Sequence, residues 1–154
     1  MSQDVTLVSY NPDYQADFKS LNESWIKQYF VMEESDYKAL DNPDDYIISS
    51  GGYIVMAIMD DTVVGTCALI KMADGGFELA KMAVSESAQG HGIGNIIGEH
   101  MINKARELGA NRLWLESNTK LVPAINLYRK LGFSEVAIDS TGYDRVDIQM
   151  ELAL

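Results

Sequence analysis

The 154-residue chain is 47% hydrophobic and 23% charged, the proportions of an ordinary globular protein built on one core. Its net charge of −11, from 23 acids against 12 bases, excludes the phosphate-neutralising surface that a nucleic-acid partner requires. No apolar run approaches the ~20 residues that span a bilayer, and the start, Met1-Ser2-Gln3-Asp4-Val5, lacks a signal-peptide pattern.

These features predict a cytoplasmic protein with no membrane partner, and the absence of repeats or linkers predicts a single domain over residues 1–154. The one cysteine, Cys67, has no disulfide partner in the chain. Acids crowd the first third, where Lys19, Lys27 and Lys38 are the only bases before Lys71. Such a segment reads as a solvated acidic surface, or as an acidic rim that attracts a cationic amine.

In chain order, Val5–Tyr10 alternates weakly and predicts a strand ended by Asn11-Pro12. Phe18, Leu21, Trp25, Ile26 and Tyr29 recur at helical spacing and predict a helix from Asp13 to about Phe30. A shorter helix follows over Ser35–Leu40, stopped by Asn42-Pro43. Tyr53–Met59, Val63–Lys71 and Phe77–Val84 read as an antiparallel meander turned at Asp60-Asp61 and Asp74-Gly75-Gly76. The pattern then changes. Ile93, Ile96, Ile97, Met101, Ala105 and Leu108 share one face of a helix that Gly109 terminates. Arg112–Glu116 is a short strand, and a helix opened by Pro123 runs to Gly132. Strands near Phe133–Asp139 and Tyr143–Leu152 finish the chain. The order β-α-α-β-β-β-α-β-α-β-β indicates an α/β protein with a mixed sheet and helices on both faces.

Gln89-Gly90-His91-Gly92-Ile93-Gly94 stands between a strand and a helix. The first turn of a helix leaves backbone N–H groups without partners, the helix dipole adds positive potential, and glycines let an anion approach that backbone. A phosphate site is predicted, with a turn that only needs positive φ as the plainer reading. Gly92-Ile93-Gly94-Asn95-Ile96-Ile97-Gly98 also looks like a dinucleotide fingerprint, with Glu116 in the place of its ribose-binding acid. Five residues, Ser85 to Gln89, separate that loop from Val84, and the preceding strands read as antiparallel, both against that alternative.

Met82-Ala83-Val84 followed by Gln89-x-x-Gly92-x-Gly94 resembles the acyl-CoA signature Q/R-x-x-G-x-G/A of the GNAT superfamily of N-acetyltransferases. Leu115-Glu116-Ser117-Asn118 and Ala124-Ile125-x-Leu127-Tyr128-x-Lys130-Leu131-Gly132-Phe133 resemble its later motif, in the expected order. The resemblance implies a mostly antiparallel sheet of six to seven strands and acetyl-CoA as acyl donor, with no metal. It implies that backbone groups of Met82, Ala83 and Val84 meet the pantetheine arm and the oxyanion. It places the pyrophosphate on the N–H groups of Gln89, Gly90, His91, Gly92, Ile93, Gly94 and Asn95, and sets Asn118 against the arm. Gln89 stands where Arg is commoner in the family, which weakens the charge term and leaves the N–H cradle.

Acyl transfer to an amine needs an amine stripped of its proton and a leaving thiolate that receives one. By resemblance Tyr128 is the proton donor, and an apolar core position is its plainer reading. Glu78 lies 11 residues before Gln89, a register in which family members carry a catalytic glutamate, and it reads either as the base or as a solvated strand residue. Strand periodicity puts Glu78, Ala80 and Met82 on one face. The resemblance assigns the acceptor pocket to the first helices, where Trp25, Tyr29, Phe30, Glu33, Asp36 and Tyr37 lie. Aromatics beside acids suit a cationic amine, and equally suit two packed helices with a solvated rim. Tyr143, Arg145 and Asp147, alternating on the last strand, face either the same pocket or a partner in a homodimer. Cys67 reads as a buried structural thiol, and His91 and His100 as solvent-facing or structural. A non-catalytic module that senses acyl-CoA shares the same glycine loop and is the competing function.

Overall fold

In the computed structural model, which describes residues 4–154, seven strands form one sheet in the order β1-β2-β3-β4-β5-β7-β6. Strands β1 (Thr6–Ser9), β2 (Tyr53–Met59), β3 (Thr62–Lys71) and β4 (Phe77–Val84) are antiparallel neighbours. Strand β5 (Arg112–Ser117) lies parallel to β4, and β7 (Ile148–Ala153) runs antiparallel between β5 and the short edge strand β6 (Ser134–Val136). Helices α1 (Gln15–Tyr29) and α2 (Glu34–Asp41) cover one face; α3 (Ile93–Glu107) and α4 (Val122–Leu131) cover the other. This is the mixed, mostly antiparallel architecture that the sequence predicts.

Strand periodicity divides the core in two. Val55, Ala57, Cys67 and Leu69 pack beneath Ile93, Ile97 and Met101 of α3. The alternate residues Ile54, Met56 and Ala68 pack against Phe18 and Ile26 of α1 and Leu40 of α2. Each fully buried Ile, Leu or Phe contributes roughly 1.5–3 kcal/mol over its exposed state, so both layers are firmly attached. Asp60 and Asp61 take φ values of 52° and 60°, which turns the chain in two residues between Met59 and Thr62.

Three elements depart from the sequence reading. Pro12–Tyr14 forms a separate 3-10 turn ahead of α1, with Asn11 accepting from the Asp13 N–H at 2.8 Å. Past α2, Pro43 opens a single π-helical turn, Asp44–Ile48, that buries Ile47. The last two strands are much shorter than predicted. Strand β7 starts only at Ile148, opposite Ser117 where β5 ends. Upstream of it, side chains take the backbone groups that a ladder would use. Gln149 accepts from the Asp139 N–H and donates to the Ser140 carbonyl, and Asn118 donates to the Arg145 carbonyl. Tyr143, Arg145 and Asp147 therefore lie on a strap that crosses the mouth of the sheet, not on a strand.

Candidate active site

The site begins where two parallel strands part. Strands β4 and β5 pair at Phe77–Leu113 and Glu78–Trp114, and beyond Glu78 no β5 residue continues the ladder. A bulge accompanies the parting: Ala68 faces Ala80 and Thr66 faces Ala83, so Lys81 and Met82 together oppose Cys67. Lys81 takes φ 55°, a left-handed conformation that costs a side-chain-bearing residue roughly 1–3 kcal/mol. The bulge also corrects the expected face. Glu78 faces the cavity and Lys81 reaches Asp36 of α2, whereas Met82 packs with Leu79 and Phe77 against the α3 layer.

The fork opens into a cavity of about 770 Å³, within the roughly 300–1,000 Å³ usual for small-molecule sites. At one end stands the glycine loop. Gly90 and Gly92 take φ 88° and 74°, and a Cβ on either would meet nothing within 4 Å. The first main-chain bond of α3 runs from Ile96 to Gly92, so the N–H groups of Ile93, Gly94 and Asn95 have no intrahelical acceptor. An open cradle with free donors fits a phosphate group. Gly94 and Gly98 serve another purpose: a Cβ there would lie 3.2 Å from Leu127 and 2.5 Å from Leu131, so both let α4 approach α3. His91 is exposed, and neither it nor Asn95 lines the cavity. Gln89 does, with its amide donating to the Val84 carbonyl at 3.3 Å.

The α4 wall carries Tyr128. Gly132 at φ 109° closes the helix, and the Phe133 N–H returns to the Tyr128 carbonyl at 2.9 Å. That turn sets the Phe133 ring edge-on to Tyr128 at 6.1 Å. Burial, with Cys67 nearby, pushes the phenol of Tyr128 upward, so it stays protonated throughout the neutral range. Asn118 lines the same wall, but its side chain is engaged: it donates to the Arg145 carbonyl at 2.7 Å and accepts from the Lys120 N–H at 2.8 Å. Cys67 is buried, and burial pushes its thiol far up, as expected of a structural residue. His100 bonds the Tyr53 hydroxyl at 3.0 Å, away from the cavity lining.

The opposite end holds Glu78. Burial, and next the charge of Glu116 across the fork, push its carboxyl up to about 7, with Lys81 opposing. Trp25, Tyr29, Phe30, Tyr46 and Tyr143 surround this end. Glu33 does not line the cavity. Its carboxylate accepts from the Asp144 N–H at 2.9 Å and from Arg145 at 3.3 Å, which fastens the strap. Beneath it lies Asp36, fully buried, accepting from Lys81 at 2.7 Å and from both terminal nitrogens of Arg145 at 2.7 and 2.6 Å. Burial alone would raise Asp36; hydrogen bonds from Arg145 and the charge of Lys81 outweigh it and hold the carboxyl at about 2.

Sequence reasoning missed Lys81, Glu116 as the neighbour of Glu78, and the role of Asp36. A lysine within the apolar run Leu79-Ala80-Lys81-Met82-Ala83 does signal a buried cation in need of a counterion. Nothing in the chain tells which of 23 acids supplies it. Among the described residues no group of three or more His, Cys, Asp or Glu is placed to hold a metal, and no helix is long and apolar enough to cross a membrane.

Streptothricin acetyltransferase of Streptomyces lavendulae is 39% identical over 71 residues, 46% of this chain and 38% of that enzyme. The chain spans roughly half or less of the length of the first curated relatives it matches. A GNAT-family acetyltransferase of Staphylococcus aureus Mu50 superposes with a TM-score of 0.89 at 22% identity, over 97% of this chain and 99% of that one. The yncA protein of Salmonella typhimurium, solved with its cofactor acetyl-CoA, superposes with a TM-score of 0.78 at 16% identity, over 97% and 94% of the two chains. The family model "Acetyltransferase (GNAT) family" matches residues 18–133, well over half of the sequence, and the chain belongs to that family.

Proposed function

We propose that the protein is an acetyl-CoA-dependent N-acetyltransferase that acts on a cationic primary amine by direct attack in a ternary complex. The observation that carries this reading is one forked cavity, with an open glycine cradle at one end, a carboxyl poised near neutrality at the other, and the half-buried Tyr128 in the wall between them. Family membership and the acetyl-CoA bound by a structural relative support it.

The N–H groups of Ile93, Gly94 and Asn95, with the open backbone at Gly90 and Gly92, would hold the pyrophosphate. The unpaired edge of β4 from Met82 to Val84 would hold the pantetheine arm as an added strand. Acetyl-CoA supplies the activated thioester. Glu78, raised to about 7, can exchange a proton near neutral pH, and in its ionised form takes the proton from the acceptor ammonium. The amine nitrogen bonds the acyl carbon, a main-chain N–H at Met82 or Ala83 meets the oxygen that gains charge, and the carbon–sulfur bond breaks. Tyr128 gives its proton to the departing sulfur, and the second proton that the nitrogen sheds on becoming an amide restores the phenol, whose phenolate burial disfavours; the proton on Glu78 leaves to solvent. Holding both reactants in one cavity adds the gain from proximity, worth effective molarities of about 10⁵ M or more.

The acceptor class follows from which charges are spent. Arg145 and Lys81 are saturated by Asp36 and Glu33, so neither is free to receive an acceptor carboxylate. Glu78, Glu116 and an aromatic wall remain, with one lining cation, Lys120, 5.1 Å from the Phe30 ring centroid; two carboxyls against one such cation favour a positively charged amine. The test is thiol release from acetyl-CoA across a panel of polyamines, peptide amino termini, aminoglycoside-like amines and free amino acids. Turnover with a cationic amine supports the reading. Bound coenzyme without thiol release from any amine would make the protein a sensor instead.

A further inference from the structure

Asp36 is the most heavily engaged carboxylate of the described residues, yet it does not line the cavity. It sits in the first turn of α2 and accepts from the Glu33 N–H at 2.9 Å as well as from Lys81 and both terminal nitrogens of Arg145. Its two oxygens are thereby close to saturation. The elements it joins lie 45 and 109 residues away in sequence: the bulge of β4 and the strap. Lys81 also donates to the Tyr143 hydroxyl at 3.0 Å, and Arg145 lies 4.5 Å from the Tyr143 ring centroid and 5.7 Å from that of Trp25. The partners of Asp36 line the cavity from both sides, Lys81 on the strand that carries Glu78, Arg145 on the strap.

A buried ion pair is a poor device for stability alone, because apolar residues of the same volume do as well or better. What a bidentate arginine pair and one charge-assisted lysine bond fix is geometry. Lys81 is held in a left-handed conformation it would not choose, and residues 142–146 are held without a strand partner. We propose that Asp36 is a positioning residue for acetyl transfer: through Lys81 it holds the bulge of β4, through Arg145 it holds the strap, and so one carboxylate sets the spacing between the acyl-bearing strand and the acceptor wall. This rests on the transferase reading.

Arg145→Met and Lys81→Met separate the two arms, and Asp36→Asn removes both. Misplacement of reactants by about 1 Å can cost ~10²-fold in rate, so effects of tenfold or more are expected. Arg145→Met raises the amine KM about tenfold, leaves the acetyl-CoA Kd within about twofold, and speeds hydrogen exchange of amides 141–147; Arg145→Lys recovers part of the KM. Lys81→Met lowers kcat about tenfold with the amine KM little changed. It also moves the acidic limb of kcat/KM to higher pH. The groups facing Glu78 are Glu116 from β5, Lys81 from β4 and Tyr143 from the strap, and Lys81 is the cation that favours its ionised form. Asp36→Asn combines both patterns; if it does not fold, the two single variants decide. Folded variants that lose thermal stability but keep wild-type amine KM, kcat, pH limb and exchange would reduce Asp36 to a structural residue. A wild-type protein that releases no thiol with any amine sinks the transferase reading and this role with it, whereas an active wild type with unmoved variants sinks this role alone.

Discussion

The glycine-loop end of the cleft, the proposed phosphate cradle, offers main-chain N–H groups at the start of α3 and an open backbone at Gly90 and Gly92, all within one loop and one helix turn. The opposite end, the proposed acceptor side, is shaped by side-chain charges from positions 33, 36, 81 and 145, brought together by the sheet. The first end needs only a local conformation, and glycine at two left-handed positions supplies it. The second needs the whole fold. A cradle of N–H groups reads any phosphate in the same way, so it suits a common cosubstrate. An arrangement of paired side chains can be retuned at each position, so it suits an acceptor that varies between relatives.

If the division of labour holds, the largest effect falls on the proton acceptor. Glu78→Gln is expected to lower kcat/KM for the amine by about 10³-fold with an unchanged acetyl-CoA Kd. It should also remove the acidic limb near pH 7, where the wild-type rate rises with pH as Glu78 loses its proton. Stability moves the other way. The folded carboxyl near 7 binds its proton more tightly than the unfolded one near 4.5, so that contribution is full below about pH 4.5 and is lost as pH rises through 7. The glutamine variant should therefore melt at a similar temperature at pH 5 and at a higher one at pH 8. An equal loss of acetyl-CoA binding would show that the two ends are not separate.

Tyr128→Phe comes next, with kcat lower by about 10²-fold and coenzyme binding near normal, since the ring and its packing on Phe133 remain. Unchanged turnover would remove the phenol from the proton path. A smaller effect, on the other side of the comparison, is expected from Gly92→Ala. A Cβ meets no atom there, but φ 74° is strained for alanine by about 1–2 kcal/mol. The loop relaxes away from its binding shape, and titration calorimetry should show an acetyl-CoA Kd about tenfold weaker at unchanged amine specificity.

The legibility of the two ends in the sequence follows the same division. Gly90, Gly92 and the start of α3 are contiguous, and the helical spacing of Ile93, Ile97 and Met101 announces where the donors stand. The meander of β2 to β4 is equally plain, because its alternation and turn residues are local. The bulge at Lys81 leaves the burial alternation of β4 intact while turning Met82 to the other layer, so periodicity alone places Met82 wrongly. The strap failed for a related reason: Tyr143, Arg145 and Asp147 alternate like a strand, but Glu33 claims the Asp144 N–H and Asn118 the Arg145 carbonyl, groups a ladder would have paired, from positions distant in sequence. Glu33 and Asp36, expected at the acceptor pocket, do not line the cavity, and their charges are consumed inside the protein.

The smallest expected effect separates glycines that look alike in the motif. Gly92 and Gly98 both belong to the run that mimics a dinucleotide fingerprint, but only Gly92 is in the cradle. At Gly98 a Cβ would come within 2.5 Å of the Leu131 side chain, where α4 crosses α3. Alanine gains about 1 kcal/mol of helix propensity over glycine, and overpacking costs about 1–3 kcal/mol, softened because the clash meets the movable end of a leucine. The balance is a loss of about 1 kcal/mol, or ~3 °C in Tm for a domain of this size. Gly98→Ala should therefore lower Tm slightly and leave the acetyl-CoA Kd untouched, the mirror image of Gly92→Ala. A weakened Kd at Gly98 would mean that the spacing of α3 and α4 sets the cradle, and that the phosphate end depends on tertiary packing after all.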